Sequence, residues 1–234
     1  MIDTFLKPYE CEFPKIRIGS DRDGGYVIID NDISTYTGLI GMGINDDNKF
    51  EKDFQEKSGC YVQQYDYSID EPPSDIPNSD FFKTKVESSD DLVPDTRLGS
   101  RQFLKIDIEG SEWDLLNTMN LESYEQIAIE LHFTMNARNV LDSLAHLTKH
   151  HTVVHVHGNS CVKTPITYIN SYNRFAWMPQ AIELTLLRND LSKFSPNETW
   201  YPMHLDQSCD FGSTPDIDMR FHPFVPEFKE EKTI

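Results

Sequence analysis

Short apolar runs, each closing in a glycine or an acid, alternate with helical patterns along this chain, and that alternation limits its fold more than any other feature. It builds β-α-β units, which assemble into a mainly parallel sheet with helices on its faces. Thr37 to Gly43 is the first strand candidate and ends in Gly41-Met42-Gly43. Asn45, Asp46, Asp47 and Asn48 offer N-caps to a following helix, on which Phe50 and Phe54 share a face. Tyr61 to Asp66 reads as a second strand and Phe81 to Val86 as a short third. Phe103 to Asp107 is the clearest buried strand; Gly110 then turns the chain into a helix with Trp113, Leu116 and Met119 on one face. Gln126 to His132 is another strand, and a helix opens at Asn136. His151 to His157 and Ala181 to Leu187 complete a count of about seven strands. The last two lack a helical connection and can pair antiparallel.

Before the first strand, Arg17 to Asp30 reads as a β-hairpin around Asp23-Gly24-Gly25. The Asn- and Tyr-rich link between His157 and Ala181 suits a surface loop. After Asp190 the chain is Pro-rich and suits an irregular strap across the domain. The 234 residues therefore suit one α/β domain, with 1–36 as an N-terminal hairpin extension and 190–234 as a C-terminal strap.

Charge narrows the partners. A net charge of −18 repels phosphate backbones and anionic membranes. It argues against a nucleic-acid or membrane partner and favours a neutral or cationic one. Cys11, Cys60, Cys161 and Cys209 form no C-x-x-C pair, which argues against a zinc cluster or a thioredoxin-type site. The spacing suits four reduced thiols. No apolar run approaches membrane-span length and no signal-peptide pattern opens the chain, so a soluble, cytoplasmic protein is expected.

In an open α/β sheet the ligand lies outside the carboxyl ends of the strands. Those ends carry Gly41 and Gly43, Asp66, Asp107 and Glu109, Glu130 and His132, and His155, His157 and Asn159. Gly41-x-Gly43 lets backbone approach a ligand at a helix N-terminus, although glycines also simply make tight turns. Asp66 is placed to accept from both hydroxyls of a ribose, and can equally be a solvated strand end. Together they suggest a nucleoside-containing cofactor. Asp46 stands where a dinucleotide fingerprint has its third glycine. A carboxylate there repels a pyrophosphate but can accept from an amine. That points away from NAD and towards S-adenosylmethionine, which carries a sulfonium and an α-amino group.

Strand alternation puts Asp107 and Glu109 on one face, where paired carboxylates can share a metal or hold an amine. Glu109, Ser111 and Glu112 can instead cap the following helix, and for Ser111 and Glu112 capping is the better reading. Glu130-x-His132 and His155-x-His157 follow the same alternation. Asp107, Glu130, His132 and His157 close three strands expected to be neighbours, and so to form a polar catalytic cluster. It would work either through Mn²⁺ or Mg²⁺ held by Asp107, Glu130 and His132, or through a histidine as general base. Tyr26, Tyr168, Tyr172, Phe175 and Trp177 lie in segments that could overhang the crevice and stack on a sugar ring. For Phe175 and Trp177 a place in the core is the better reading.

The segment Leu104-Lys105-Ile106-Asp107-Ile108-Glu109-Gly110-Ser111-Glu112-Trp113 resembles the L-K-[IV]-D-[IV]-E-G-x-E-W signature of the FkbM-type methyltransferase family. Gly41-x-Gly43 with Asp46, Asp47, Phe50 and Glu51 resembles a subgroup's G-x-G-x-D-x-x-F-E loop, and Arg17-x-Gly19-Ser20 through Asp23-Gly24-Gly25-Tyr26 is similar to its R-x-G-S-x-x-D-G-G-Y. The resemblance implies a Rossmann-like class I methyltransferase fold, with a seven-stranded, mainly parallel sheet whose last strand is antiparallel. It implies methyl transfer from S-adenosylmethionine to a hydroxyl of a small molecule or glycan. The acidic, aromatic-rich chain adds a saccharide as the expected acceptor, for example a deoxysugar such as rhamnose. By position Gly41, Gly43, Asp46, Asp66, Tyr67 and Asp107 would face the cofactor, and Asp107, His132 and His157 would be catalytic. Related metal-dependent O-methyltransferases often follow the next strand with Asp-Asn or Asp-Asp, whereas this chain has Glu130-x-His132, so the resemblance does not itself carry a metal across. Two rivals stand beside this reading: a nicotinamide-dependent oxidoreductase, and a non-catalytic glycan-binding domain on the same fold.

Overall fold

Period-two alternation inside each apolar run sends neighbouring side chains to opposite faces of a sheet. The computed structural model describes residues 2–134, 137–161, 165–210 and 214–227. Seven strands share one sheet: β1 (Gly38–Met42), β2 (Tyr61–Tyr65), β3 (Ser79–Phe82), β4 (Gln102–Ile106), β5 (Tyr124–His132), β6 (His151–Gly158) and β7 (Ala181–Arg188). Their order is β3-β2-β1-β4-β5-β7-β6. The first five pair in parallel, and β7 runs antiparallel to both β5 and β6.

Helices α1 (Lys49–Ser58), α2 (Glu112–Leu116) and α3 (Val140–Leu147) flank the sheet. Leu39, Val62, Phe103 and Ala128 face Phe50 and Phe54 of α1, with the Phe54 and Phe103 rings 4.8 Å apart. Ile40, Leu104, Ile127 and Ile129 face the other way, towards Trp113 and Leu116 of α2 and Leu144 and Leu147 of α3. Each fully buried Leu, Ile or Phe contributes about 1.5–3 kcal/mol, so the alternation alone fixes the register of the central strands.

Four expectations need correction. The third strand ends at Phe82, because Thr84 N donates back to Phe82 O and turns the chain out of the ladder. α2 stops at Leu116, so Met119 is buried outside the helix. β7 inserts between β5 and β6, so the strands ending in Glu130-x-His132 and His155-x-His157 are not neighbours. The link between His157 and Ala181 is no plain loop: Pro165–Ile169 and Phe175–Pro179 pair as a hairpin. Asn170 closes its turn by accepting from Tyr172 N and Arg174 N. The helix start expected at Asn136 lies outside the described residues.

The N-terminal hairpin forms from Lys15–Ile18 and Tyr26–Ile29 and lies on the α1 side of the sheet. Polar anchors hold it there. Gln126 exchanges two hydrogen bonds with the Ile29 backbone, at 2.6 and 3.0 Å, and Thr185 Oγ1 donates to Val27 O. Among the described residues, the strap after Asp190 is irregular apart from Ser195–Pro196, which pairs with Tyr9–Glu10.

The expectation of four reduced thiols fails at two positions. Cys161, just past β6, and Cys209, in the strap, form a disulfide across 48 residues. Nothing in their spacing signals it, because the pairing depends on the strap folding back over the end of β6. Cys11 and Cys60 remain thiols. Among the described residues, no helix is long and apolar enough to cross a membrane.

The 48-residue loop closed by the disulfide limits the unfolded chain, an effect worth about 4 kcal/mol in the chain-entropy account and about 2–4 kcal/mol in practice. Cys209→Ser should lower the unfolding free energy by that amount in urea titrations. A reductant should shift the wild-type midpoint and leave the variant's unmoved.

Candidate active site

β1 and β4 end side by side. Gly43 has φ +78°, and a Cβ there would overlap the Asp107 carbonyl, so only glycine lets the two strand ends meet. Beyond them a cavity of about 690 Å³ opens at the carboxyl end of the sheet. Gly43, Asp46, Asp66, Tyr67 and Asp107 line it, and these are five of the six residues expected to face a cofactor. Gly41 is not brought to the cavity; the space beside it is filled by the Glu51 side chain of α1.

Asp66 is buried at the end of β2. Its Oδ2 accepts from Asn45 N at 2.8 Å, and its Oδ1 accepts from Ser68 N and Oγ at 2.6 Å. Burial pushes its carboxyl upward, but the Ser68 and Asn45 donors outweigh that and hold it below the usual range. The result is a fixed, ionised carboxylate on the cavity wall.

The same alternation that builds the core places Lys105 of β4 with Asp107 just past it, Glu130 and His132 of β5, and Glu183 of β7 at one end of the sheet. Tyr26 of the hairpin donates its hydroxyl to Asp107 Oδ2 at 3.0 Å. Asn159 Nδ2 donates to Glu130 Oε1 at 2.9 Å. Asp107, Glu130 and His132 offer ligand atoms that all lie within 4.8 Å of one another, and Asp23, Glu130 and Glu183 do the same. The first set borders the cavity through Asp107. Burial, then Asp107, Glu183 and Asp23, push the Glu130 carboxyl well above its ordinary value.

One ammonium stands among these acids. Lys105 Nζ donates to Gly43 O at 2.9 Å and lies 3.9 Å from Glu51 Oε1. Burial works against its charge, and Glu51, Asp107 and Glu130 more than restore it. Glu51 is fully buried, and burial raises its carboxyl.

His132 is held from α2. Glu112 Oε1 accepts from His132 N at 2.5 Å and lies 3.2 Å from His132 Nδ1, while Glu112 Oε2 accepts from Gly110 N at 2.8 Å. The ring's Nε2 lies 3.4 Å from Glu109 Oε2 and 3.6 Å from Glu130 Oε1. Burial opposes a charge on the ring, yet the Glu112 hydrogen bond and the nearby carboxylates raise its pKa above the ordinary histidine value. The hydrogen-bond partners of Glu112 are thus Gly110 and His132, not an N–H of the helix it was expected to cap. Sequence reasoning missed this, and its signal was an acid on the same helical face as Leu115 and Leu116, which turn inward.

The structure does not bring His157 into this group. Glu183 of β7 pairs in register with both Glu130 and His157 and stands between them. His157 Nδ1 lies 3.0 Å from Glu183 and its Nε2 3.3 Å from Asp216 of the strap. His155 meets Asp206 of the strap at 2.8 Å. Both histidines fasten the strap. Ser111 lines the cavity and makes no side-chain cap. Of the five aromatics, Tyr26 and Tyr168 are buried. Tyr172, Phe175 and Trp177 are exposed on the hairpin, Phe175 by 83%, which overturns a core role for Phe175 and Trp177.

A sheet in the order 3-2-1-4-5-7-6 with only β7 reversed, and a cavity over Gly43, Asp66 and Asp107, defines a Rossmann-like methyltransferase. The methyltransferase FkbM domain family matches residues 9–157, and the chain belongs to it. Its chemistry is therefore methyl transfer with S-adenosylmethionine as donor, and the nicotinamide alternative is set aside. No curated protein matches the chain. Solved structures are similar to it, among them the following three. A precorrin-6y C5,15-methyltransferase from Geobacter metallireducens GS-15 shares 10% identity, covering 65% of this chain and 80% of that one, with TM-score 0.36. The RNA-capping protein VP4 of bluetongue virus shares 12% identity over 80% of this chain and 33% of that one, with TM-score 0.33. A 16S rRNA (adenine(1408)-N(1))-methyltransferase from Catenulisporales acidiphilia shares 10% identity over 75% and 98%, with TM-score 0.33.

Because Glu130 binds its proton more tightly in the folded chain, its favourable contribution is complete below the unfolded-state pKa of about 4.3 and is lost as pH rises through the raised folded value. Glu130→Gln should therefore raise the urea midpoint at pH 8 in chelator and leave it near wild type at pH 4. Equal midpoints at pH 8 would contradict this.

Proposed function

We propose that the protein methylates a hydroxyl of a saccharide, assisted by a divalent cation held by Asp107, Glu130 and His132. The observation that carries the reading is the convergence of these three donors within 4.8 Å at the edge of the cavity. Two carboxylates and an imidazole suit Mn²⁺ or a similar ion better than Ca²⁺. The raised Glu130 carboxyl fits too, since a cation would offset the crowding that now favours its proton.

Gly43 would give the donor room against the backbone, Asp66 would accept from its ribose, and Asp46 and Tyr67 would flank it. The donor's sulfonium supplies the reactive methyl group. A bound cation would lower the pKa of the acceptor hydroxyl. The chain itself aligns the two reactants across the cavity, with Asp107 at the junction, and alignment is worth several kcal/mol of barrier. A second reading keeps the same residues: His132, beside the cluster, takes the hydroxyl proton itself as general base.

The acceptor is argued from charge and shape. Asp23, Asp46, Asp47, Asp66, Asp107 and Glu109 line the cavity and outnumber its cations, Arg22, Lys85 and Lys105, and the chain carries a net −18. Such walls accept from a polyol and repel phosphate, which weighs against nucleic acid. Tyr172, Phe175 and Trp177 stand exposed on the hairpin joining β6 to β7, and its base lies at the end of the sheet that carries the cavity. Aromatic faces of this kind stack on sugar rings; a deoxysugar such as rhamnose is one acceptor of the class.

Asp66→Ala should weaken S-adenosylmethionine binding by about 1.5–3 kcal/mol in calorimetry, the worth of charge-assisted acceptance from ribose. Unchanged affinity would make Asp66 a structural strand end. Methyl transfer to saccharides should be lost in EDTA and restored by Mn²⁺ or Mg²⁺. Full activity in EDTA would remove the cation and leave His132 as base, with activity then lost in His132→Ala. Transfer to protein or RNA and to no saccharide would overturn the acceptor.

A further inference from the structure

We infer that Glu112 is a positioning residue that fixes the tautomer of His132, so that the Nε2 lone pair faces the Asp107–Glu130 end of the cavity. The inference rests on that site being where methyl transfer occurs.

Glu112 is 0% exposed, whereas Glu109 and Asp114, its acidic neighbours on the same turn, are exposed. A buried carboxylate is costly unless donors surround it. Those donors are backbone N–H groups. Oε2 accepts from Gly110 N and Oε1 from His132 N, so both oxygens already act as acceptors. That arrangement sets Oε1 as acceptor for the ring nitrogen 3.2 Å away as well, with the hydrogen on the ring. With the hydrogen on Nδ1, the neutral ring keeps its lone pair on Nε2.

The other end of the ring is uncommitted. Its contacts to Glu109 and Glu130, at 3.4 and 3.6 Å, are longer than a normal hydrogen bond. Ligating a cation and accepting a hydroxyl proton both need a lone pair there, so Glu112 serves either version of the proposed chemistry. In the proton-transfer version, the acceptor oxygen gains the methyl as the sulfonium's carbon–sulfur bond breaks. The hydroxyl proton passes to Nε2, and the sulfur leaves neutral.

The next residue completes the arrangement. Trp113 Nε1 donates to His132 O at 2.7 Å. Glu112 and Trp113 thus hold the N–H and the carbonyl of one residue at the end of β5. Ring and backbone are oriented together by two successive side chains at the start of α2, which gives the adjacent acid and indole a physical reason to occur as a pair.

The test is ¹⁵N NMR of His132 in the full-length wild-type chain, at a pH where the ring is neutral. The expected pattern has hydrogen on Nδ1 and a bare Nε2; hydrogen on Nε2 would overturn the inference. The tautomer is read without cation or substrate, so a failure of methyl transfer in the wild type counts against the proposed function alone. Glu112→Gln can offer an amide hydrogen to Nδ1 and should reverse the tautomer. Transfer rate or Mn²⁺ affinity should then fall about 10–100-fold, while S-adenosylmethionine affinity stays within about twofold of wild type. A variant that folds and keeps both the wild-type tautomer and the wild-type rate would also overturn it. Should the variant fail to fold, the wild-type spectrum decides.

Discussion

Asp107, Glu130 and Glu183 come together where three strands end, with Asp23 at the rim, and the ammonium of Lys105 is the cation set among them. Much of the local architecture answers to that imbalance. Removing an ion from water costs several kcal/mol even after relaxation, so each acid must be given a donor or keep its proton. Tyr26 reaches from the hairpin to Asp107, Asn159 reaches from the end of β6 to Glu130, and His157 turns to Glu183. Lys105 is also bound to the Gly43 carbonyl and stands beside Glu51 under α1. The glycine turn, the first helix and the acid cluster are therefore tied through one side chain.

The sequence made the repeated parts legible. Alternating apolar residues placed the strands to within a few positions, because burial on both faces punishes any slip of one residue. Asp107 stood out for the same reason, as an acid closing an apolar run. What stayed hidden depended on contacts across long stretches of chain. The insertion of β7 between β5 and β6 is a choice of partner that neither strand's own residues reveal. It sets Glu183 between Glu130 and His157 and turns an expected catalytic histidine towards the strap. Glu112 looked like a cap because capping is a local property, while its link to His132 spans 20 residues. The Cys161–Cys209 bond is longer in sequence still.

The strap belongs to the site as well as to the fold. Cys209 lines the cavity and accepts from Asp23 N at 3.3 Å, so the disulfide sits within reach of the hairpin turn. His155–Asp206 and His157–Asp216 hold the strap on either side. One wall of the cavity is thus set by residues far outside the β-α-β units that carry the glycine turn and the central acids.

The hairpin has a consequence for how the molecule comes into being. Its strand Tyr26–Ile29 is anchored by Gln126 and by Thr185, and its tyrosine closes over Asp107. Those two anchors lie 97 and 158 residues further along the chain. A short local hairpin therefore takes its final seat from strands that synthesis delivers long after it, and closure of the polar end of the sheet couples β5 and β7 to a segment that precedes every strand of that sheet.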